Sequence, residues 1–290
     1  MAKDKIINWV IFILLSFIWG SSFILMKLSS LELNGLQIAS VRISSAGFVF
    51  LPLALFHISK VPKNKIGIIF LSGLFGNLFP AFLFAIAISK KVDSSLAGIL
   101  NSLTPLLVII ISILFFKNRV HFKKIAGVLI GFIGLLILSL SKGGITGTNF
   151  WFAFLILIAT LFYGINVNIV IYYLKEVDPF KITTISLAFI CVPAFIVLLQ
   201  QNVIGLVLED ANYRWPVLAS VILGVIGSAA ATWLFYILIK RAGGIFASLV
   251  TYGIPVVAIL WGIIFKENVT MIQVGCLAFI LAGVYLANRS

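Results

Sequence analysis

Apolar runs of about twenty residues recur from one end of the chain to the other, near 8–28, 35–57, 66–88, 94–116, 122–140, 150–174, 180–205, 215–239, 244–265 and 270–288. A helix rises about 1.5 Å per residue, so roughly 20 apolar residues cross the ~30 Å hydrocarbon layer of a bilayer. The runs do not alternate polar with apolar, as the ~10-residue strands of a membrane barrel do, and they read as helices. Ten of them with short connections use nearly all 290 residues, leaving no segment for a separate soluble domain. Composition agrees, since only 10% of residues are charged against about 25% in a soluble domain. The expected class is an all-α polytopic membrane protein with ten transmembrane helices.

The net charge of +13 comes from short basic clusters between apolar runs, a pattern that sets membrane orientation and gives no support to a nucleic-acid partner. With the N-terminus on the cytoplasmic side, 14 Lys and Arg residues fall inside and 6 outside, so both termini are expected in the cytoplasm. The basic start and apolar run at 1–22 lack an A-x-A-like cleavage site and read as an uncleaved first span. Trp9, Trp151 and Trp215 stand at span ends, where amphipathic rings favour the interface. Cys191 and Cys276 are isolated within apolar runs and read as small buried hydrophobes.

The chain repeats itself. "LFAIAISKK" at 83–91 aligns with "LFYILIKRA" at 234–242, Pro105 with Pro255, "FKNRV" at 116–120 with "FKENV" at 265–269, and Gly134 with Gly283. "IWGSSF" at 18–23 lies over "FYGINV" at 162–167. Two five-helix units are expected, 1–145 and 146–290, and an odd helix number makes the second enter the membrane from the opposite side. Inverted repeats let one scaffold open to either face around a shared site at mid-membrane, which is a mechanism for transport.

Polar groups at membrane depth need partners or a wet cavity. Here they fall at matching positions: Trp19 with Tyr163, Ser22 with Asn166, Asn77 with Ser228, Asn101 with Thr251. These eight are the candidate substrate-binding residues. Each of Pro105 and Pro255 stands four residues after Asn101 or Thr251 and removes the ladder bond to that carbonyl. Both prolines are therefore candidates for the pathway or gate, and Pro80, three after Asn77, adds a third kink.

Arg42 is the charge well inside a span. Two readings are open: it snorkels to the outer interface, or it faces the cavity and attracts a carboxylate-bearing substrate or ties a gate. The eight acids fall at span ends or loops, which argues against proton-coupled antiport and against a bound cation. His57 and His121 have no metal-ligand spacing, and no HExxH, GxSxG or Walker-type glycine loop occurs, so neither a metal, a cofactor nor enzyme chemistry is expected. Gly127 and Gly131 in the fifth run, and Gly275, Ala278, Ala282 and Gly283 in the tenth, permit close packing and suggest scaffold or a dimer face, leaving monomer or homodimer open.

Through "WGSSF" at 19–23, Arg42, the "TP" of 104–105 and "FKENVTMIQVGCLAFILAGVYL" at 265–286, the chain resembles drug/metabolite transporters of the EamA type over its whole length. Where such proteins commonly carry a glutamate in the first copy, this chain has Asn118–Arg119. The resemblance implies ten helices, a cavity lined by spans one to four and six to nine, and peripheral spans five and ten. It also implies a bacterial inner-membrane exporter of small metabolites, with amino acids or similar neutral solutes favoured by the aromatic and amide lining. Cation efflux and sugar-phosphate or nucleotide-sugar exchange are the alternatives, with an intramembrane enzyme a remote one.

Overall fold

The computed structural model describes residues 2–90, 92, 94–141, 150–264 and 271–288, and all regular secondary structure among them is helical. In chain order α1 is Ala2–Ser29, α2 Gly35–Ile58, α3 Lys63–Ser89, α4 Ser94–Asn101, α5 Thr104–Phe116 and α6 Phe122–Ser141. Then come α7 Phe150–Tyr172, α8 Pro179–Gln200, α9 Val203–Glu209, α10 Ala211–Ala242, α11 Gly244–Ser248, α12 Val250–Ile264 and α13 Met271–Asn288. Among the described residues, six helices are long and apolar enough to cross a membrane, and three shorter apolar helices accompany them. The molecule is a multi-pass membrane protein. The second-copy "FKENV" at 265–269 lies outside the described residues.

The helical membrane class holds, but the count of ten helices is not exact, because some of the apolar runs divide. The run at 94–116 divides at Ser102–Leu103 into α4 and α5, and the run at 244–265 divides at Leu249 into α11 and α12. Pro105 accounts for the first break: it takes the second position of α5, where a missing amide hydrogen costs nothing. Pro255, by contrast, lies inside α12, and the break falls six residues before it. There the Leu249 amide is shared between the carbonyls of Ile245 at 3.3 Å and Phe246 at 3.2 Å.

Side-chain ties fix which helix ends share a face. Arg241 at the end of α10 bonds Asp4 and Asn8 of α1, both at 3.0 Å. On the same face Lys240, next to Arg241, donates to Leu174 O just past α7 at 2.9 Å, and Lys65 at the start of α3 donates to the neighbouring Tyr173 O at 2.8 Å. On the opposite face Ser29 donates to Pro216 O at 3.1 Å and Asn34 to Gln201 at 3.2 Å. Since α1 begins on the face where α7 ends, the two helices run in opposite directions.

Lipid solvates apolar side chains as well as a core does, so helices associate where small residues permit close approach. A Cβ at Gly127 of α6 would stand 2.5 Å from Ala287 N of α13, and one at Gly283 2.5 Å from Gly131 N. The small-residue stripe suggested for a dimer face is thus consumed within the chain, by α6 against α13, whereas Gly275 faces open space. Large apolar side chains face outward: Leu55 is 72% exposed, Phe115 77% and Trp151 82%. Trp9 packs edge-on against Phe12 and Phe246, each at a ring-centroid distance of 5.3 Å.

Candidate functional site

Between the halves lies a cavity of about 100 Å³. From the first half α1 contributes Trp19, Ser22 and Met26, α2 Arg42, α3 Gly76, Asn77 and Phe84, and the broken α4–α5 pair Asn101 and Thr104. From the second, α7 contributes Tyr163 and Asn166, α10 Gly227, Thr232, Phe235 and Tyr236, and the α11–α12 pair Ser248, Thr251 and Ile254. No carboxylate or histidine is among these lining residues.

Two π-helical turns flank the cavity, Leu74–Leu78 within α3 and Val225–Ala230 within α10. They begin 151 residues apart, the same offset that aligns "LFAIAISKK" with "LFYILIKRA". Each has glycine at its third residue, Gly76 or Gly227, and a polar residue at its fourth, Asn77 or Ser228. A π-turn widens the helix by a residue and disturbs the ladder, so it exposes backbone and is frequent at functional sites. Here the Gly227 carbonyl accepts the Trp19 indole N–H at 3.0 Å. Gly76 admits the other half: a Cβ there would meet Asn166 Nδ2 at 2.4 Å.

The polar groups divide into satisfied and unsatisfied. Ser22 donates to Ile18 O at 2.8 Å and Ser248 to Ile245 O at 2.8 Å, each within its own helix, and Thr251 donates to Ser248 O at 3.0 Å across the α11–α12 break. The Asn101 carbonyl, expected to be free, receives the Thr104 hydroxyl at 2.6 Å. Asn166 joins a buried triangle spanning both halves, with Ser72 donating to its Oδ1 at 2.6 Å and its own Nδ2 donating to Tyr236 at 3.3 Å. Asn77 Oδ1 accepts from Thr232 at 2.8 Å. Three groups remain open. Among the described residues Asn77 Nδ2 and Asn101 Oδ1 are buried without a partner, and Arg42 donates through Nε to Ser228 Oγ at 2.7 Å with no partner at its Nη atoms.

This helix arrangement is shared with known proteins. The family model of the EamA-like transporter family matches residues 7–140 and again 150–289. The chain belongs to the EamA-like transporter family. Among curated relatives, an uncharacterized transporter of Archaeoglobus fulgidus is 24% identical over 284 residues, covering 97% of this chain and 99% of the relative. A chloroplastic WAT1-related protein of Arabidopsis thaliana is 24% identical over 300 residues, with 99% of this chain and 70% of that protein covered. A solved crystal structure superposes with a TM-score of 0.72 over 100% of this chain and 97% of its own, at 17% identity, and shows the fold alone.

As an EamA-like protein the molecule is a membrane transporter of the drug/metabolite superfamily and not an enzyme. Of the eight residues expected to bind substrate, Trp19, Ser22, Asn77, Asn101, Tyr163, Asn166 and Thr251 line the cavity. Ser228 is not among the lining residues; its hydroxyl accepts from Arg42, which is. Pro105 and Pro255 are also outside the lining and shape the helices that carry it. Span seven was expected to line the cavity and contributes nothing among the described residues, because α8 packs behind α2, where a Cβ on Gly47 would overlap Cys191. Thr232 and Tyr236 went unnoticed in the sequence, although both continue the four-residue spacing from Ser228 and so share its helix face.

Proposed function

We propose that this EamA-like transporter exports small metabolites, amino acids or similar neutral solutes, by alternating access between two inverted five-helix repeats, 1–145 and 146–290. The supporting observation is the make-up of the cavity: both halves supply matched aromatic, amide and hydroxyl groups, and no carboxylate is among the described lining residues. Trp19, Ser22, Asn77, Asn101, Tyr163, Asn166 and Thr251 bind the solute, with Arg42 in the pathway. The antiparallel course of α1 and α7 and the matched π-turns of α3 and α10 support the inverted repeat. In this reading the carrier sits in a bacterial inner membrane, and the excess of Lys and Arg in alternate loops supports cytoplasmic termini.

Without a titrating carboxylate in the cavity the carrier works as a uniporter or exchanger. Purified protein in liposomes, tested for counterflow of a labelled amino-acid panel with and without a pH gradient, checks this directly. Counterflow of at least one amino acid, indifferent to the gradient, is expected. No flux of any amino acid alongside flux of sugar phosphates would move the assignment to phosphorylated solutes, for which Arg42 would be the attraction.

A further inference from the structure

The cavity has three open valences, and their chemistry is specific. Arg42 is held by one neutral oxygen, Ser228 Oγ, and among the described residues its terminal Nη atoms have no hydrogen-bond or ion-pair partner. Arg42 is partly buried and lines the cavity, and for a guanidinium that faces a cavity without a counter-charge an anion with paired oxygens is the best partner. Asn77 is 7% exposed and keeps an unpartnered donor at Nδ2; Asn101 is 9% exposed and keeps an unpartnered acceptor at Oδ1. Asn77 presents its donor because Thr232 occupies its oxygen. Each unfilled buried valence is unfavourable until a ligand completes it.

We propose that Arg42 is the anion anchor of the cavity: it takes the carboxylate of a zwitterionic solute, Asn77 Nδ2 adds a second donor to that carboxylate, and Asn101 Oδ1 accepts from the ammonium. The assignment rests on the reading that this cavity is the substrate site, and it names which residue reads which end of the solute. It also explains why no wall carboxylate is needed, since the solute carries the counter-charge to Arg42 itself. Met26, Phe84, Phe235 and Ile254 supply apolar wall for an aliphatic side chain.

The test measures thermal stabilisation of the purified full chain by L-leucine, by L-leucinamide, which lacks the carboxylate, and by 4-methylpentanoate, which lacks the ammonium. In the wild type, leucine should half-saturate at a concentration at least about tenfold below either analogue, the worth of one charge-assisted contact. Arg42→Gln should bring leucine down to the level of leucinamide, and Asn101→Ala should bring it down to the level of 4-methylpentanoate. Arg42→Lys keeps the charge and loses the planar fork, so it should weaken leucine several-fold. It also serves if the glutamine variant does not fold. Equal binding of leucine and leucinamide in the wild type, unchanged leucine binding in Arg42→Lys, or no stabilisation by any of the three overturns the proposal.

Counterflow separates this from the transport reading. Leucine exchange with leucinamide competing equally would remove the anchor and leave the transporter assignment standing. The expected binding pattern without flux of any solute would do the reverse.

Discussion

Arg42 of α2 donates through Nε to Ser228 Oγ of the α10 π-turn across 2.7 Å, so the first half's cavity charge is held by a neutral oxygen of the second. One hydrogen bond to a guanidinium contributes about 1.5–3 kcal/mol and leaves most of its donor fork unused. The contact positions the charge without neutralising it.

Ser228→Ala removes that oxygen. The empty protein should melt at a lower temperature, the destabilisation corresponding to about 1–3 kcal/mol. Saturating leucine should narrow the gap to the wild type, since the solute carboxylate takes over the guanidinium. Thermal melts with and without leucine check both parts, and an equal deficit in the two conditions would contradict the account.

Trp19→Phe keeps a ring against Phe235, whose centroid lies 5.2 Å from that of Trp19, and strips the donor from the Gly227 carbonyl. Membrane hydrogen bonds average about 0.6 kcal/mol, and an orphaned buried carbonyl costs about 1–3 kcal/mol. A loss within that range in the melting transition is expected. Asn77→Ala gives up the Thr232 hydrogen bond to Oδ1 and orphans that hydroxyl, so a stability loss in the same range is expected, and exchange should fall further because the unpartnered Nδ2 donor is removed as well.

Gly283→Leu should abolish the monodisperse protein, because its first side-chain atom already falls 2.5 Å from Gly131 N. Gly275→Ala, with nothing within 4 Å of its added Cβ, should leave size-exclusion yield unchanged. A reversal of this order would mean that α6 and α13 do not pack as described.

The sequence made the helical class, the two halves and most of the cavity legible because each rests on a local rule. Run length gives spans, and mid-span polarity at matched positions gives Asn77, Asn101, Asn166 and Thr251. What it concealed depends on contacts between distant segments. Ser228 and Asn77 are equivalent in the repeat, yet only Asn77 reaches the cavity, because Arg42 from another helix occupies Ser228. The triangle of Ser72, Asn166 and Tyr236 joins residues up to 164 positions apart, a relation no periodicity encodes. Pro105 marked its break correctly to within a turn, whereas Pro255 did not, since the α11–α12 break at Leu249 has no proline to announce it.

Exchange should not depend on pH between about 6 and 8, where unperturbed Asp, Glu, Lys and Arg keep their charges. The described cavity lining contains no carboxylate or histidine to titrate in that window. Leucine counterflow at matched internal and external pH is the check. A change of tenfold or more across the window would require a titrating group in the pathway.

The central claim is that one cavity serves both faces of the membrane, and cysteine accessibility measures this most directly. Thr251→Cys is made with the buried Cys191 and Cys276 replaced by alanine, and a membrane-impermeant maleimide is applied to right-side-out and to inside-out vesicles. Labelling from both sides, slowed by leucine in each orientation, is the predicted result. Labelling from one side only, with or without leucine, would contradict alternating access through this cavity.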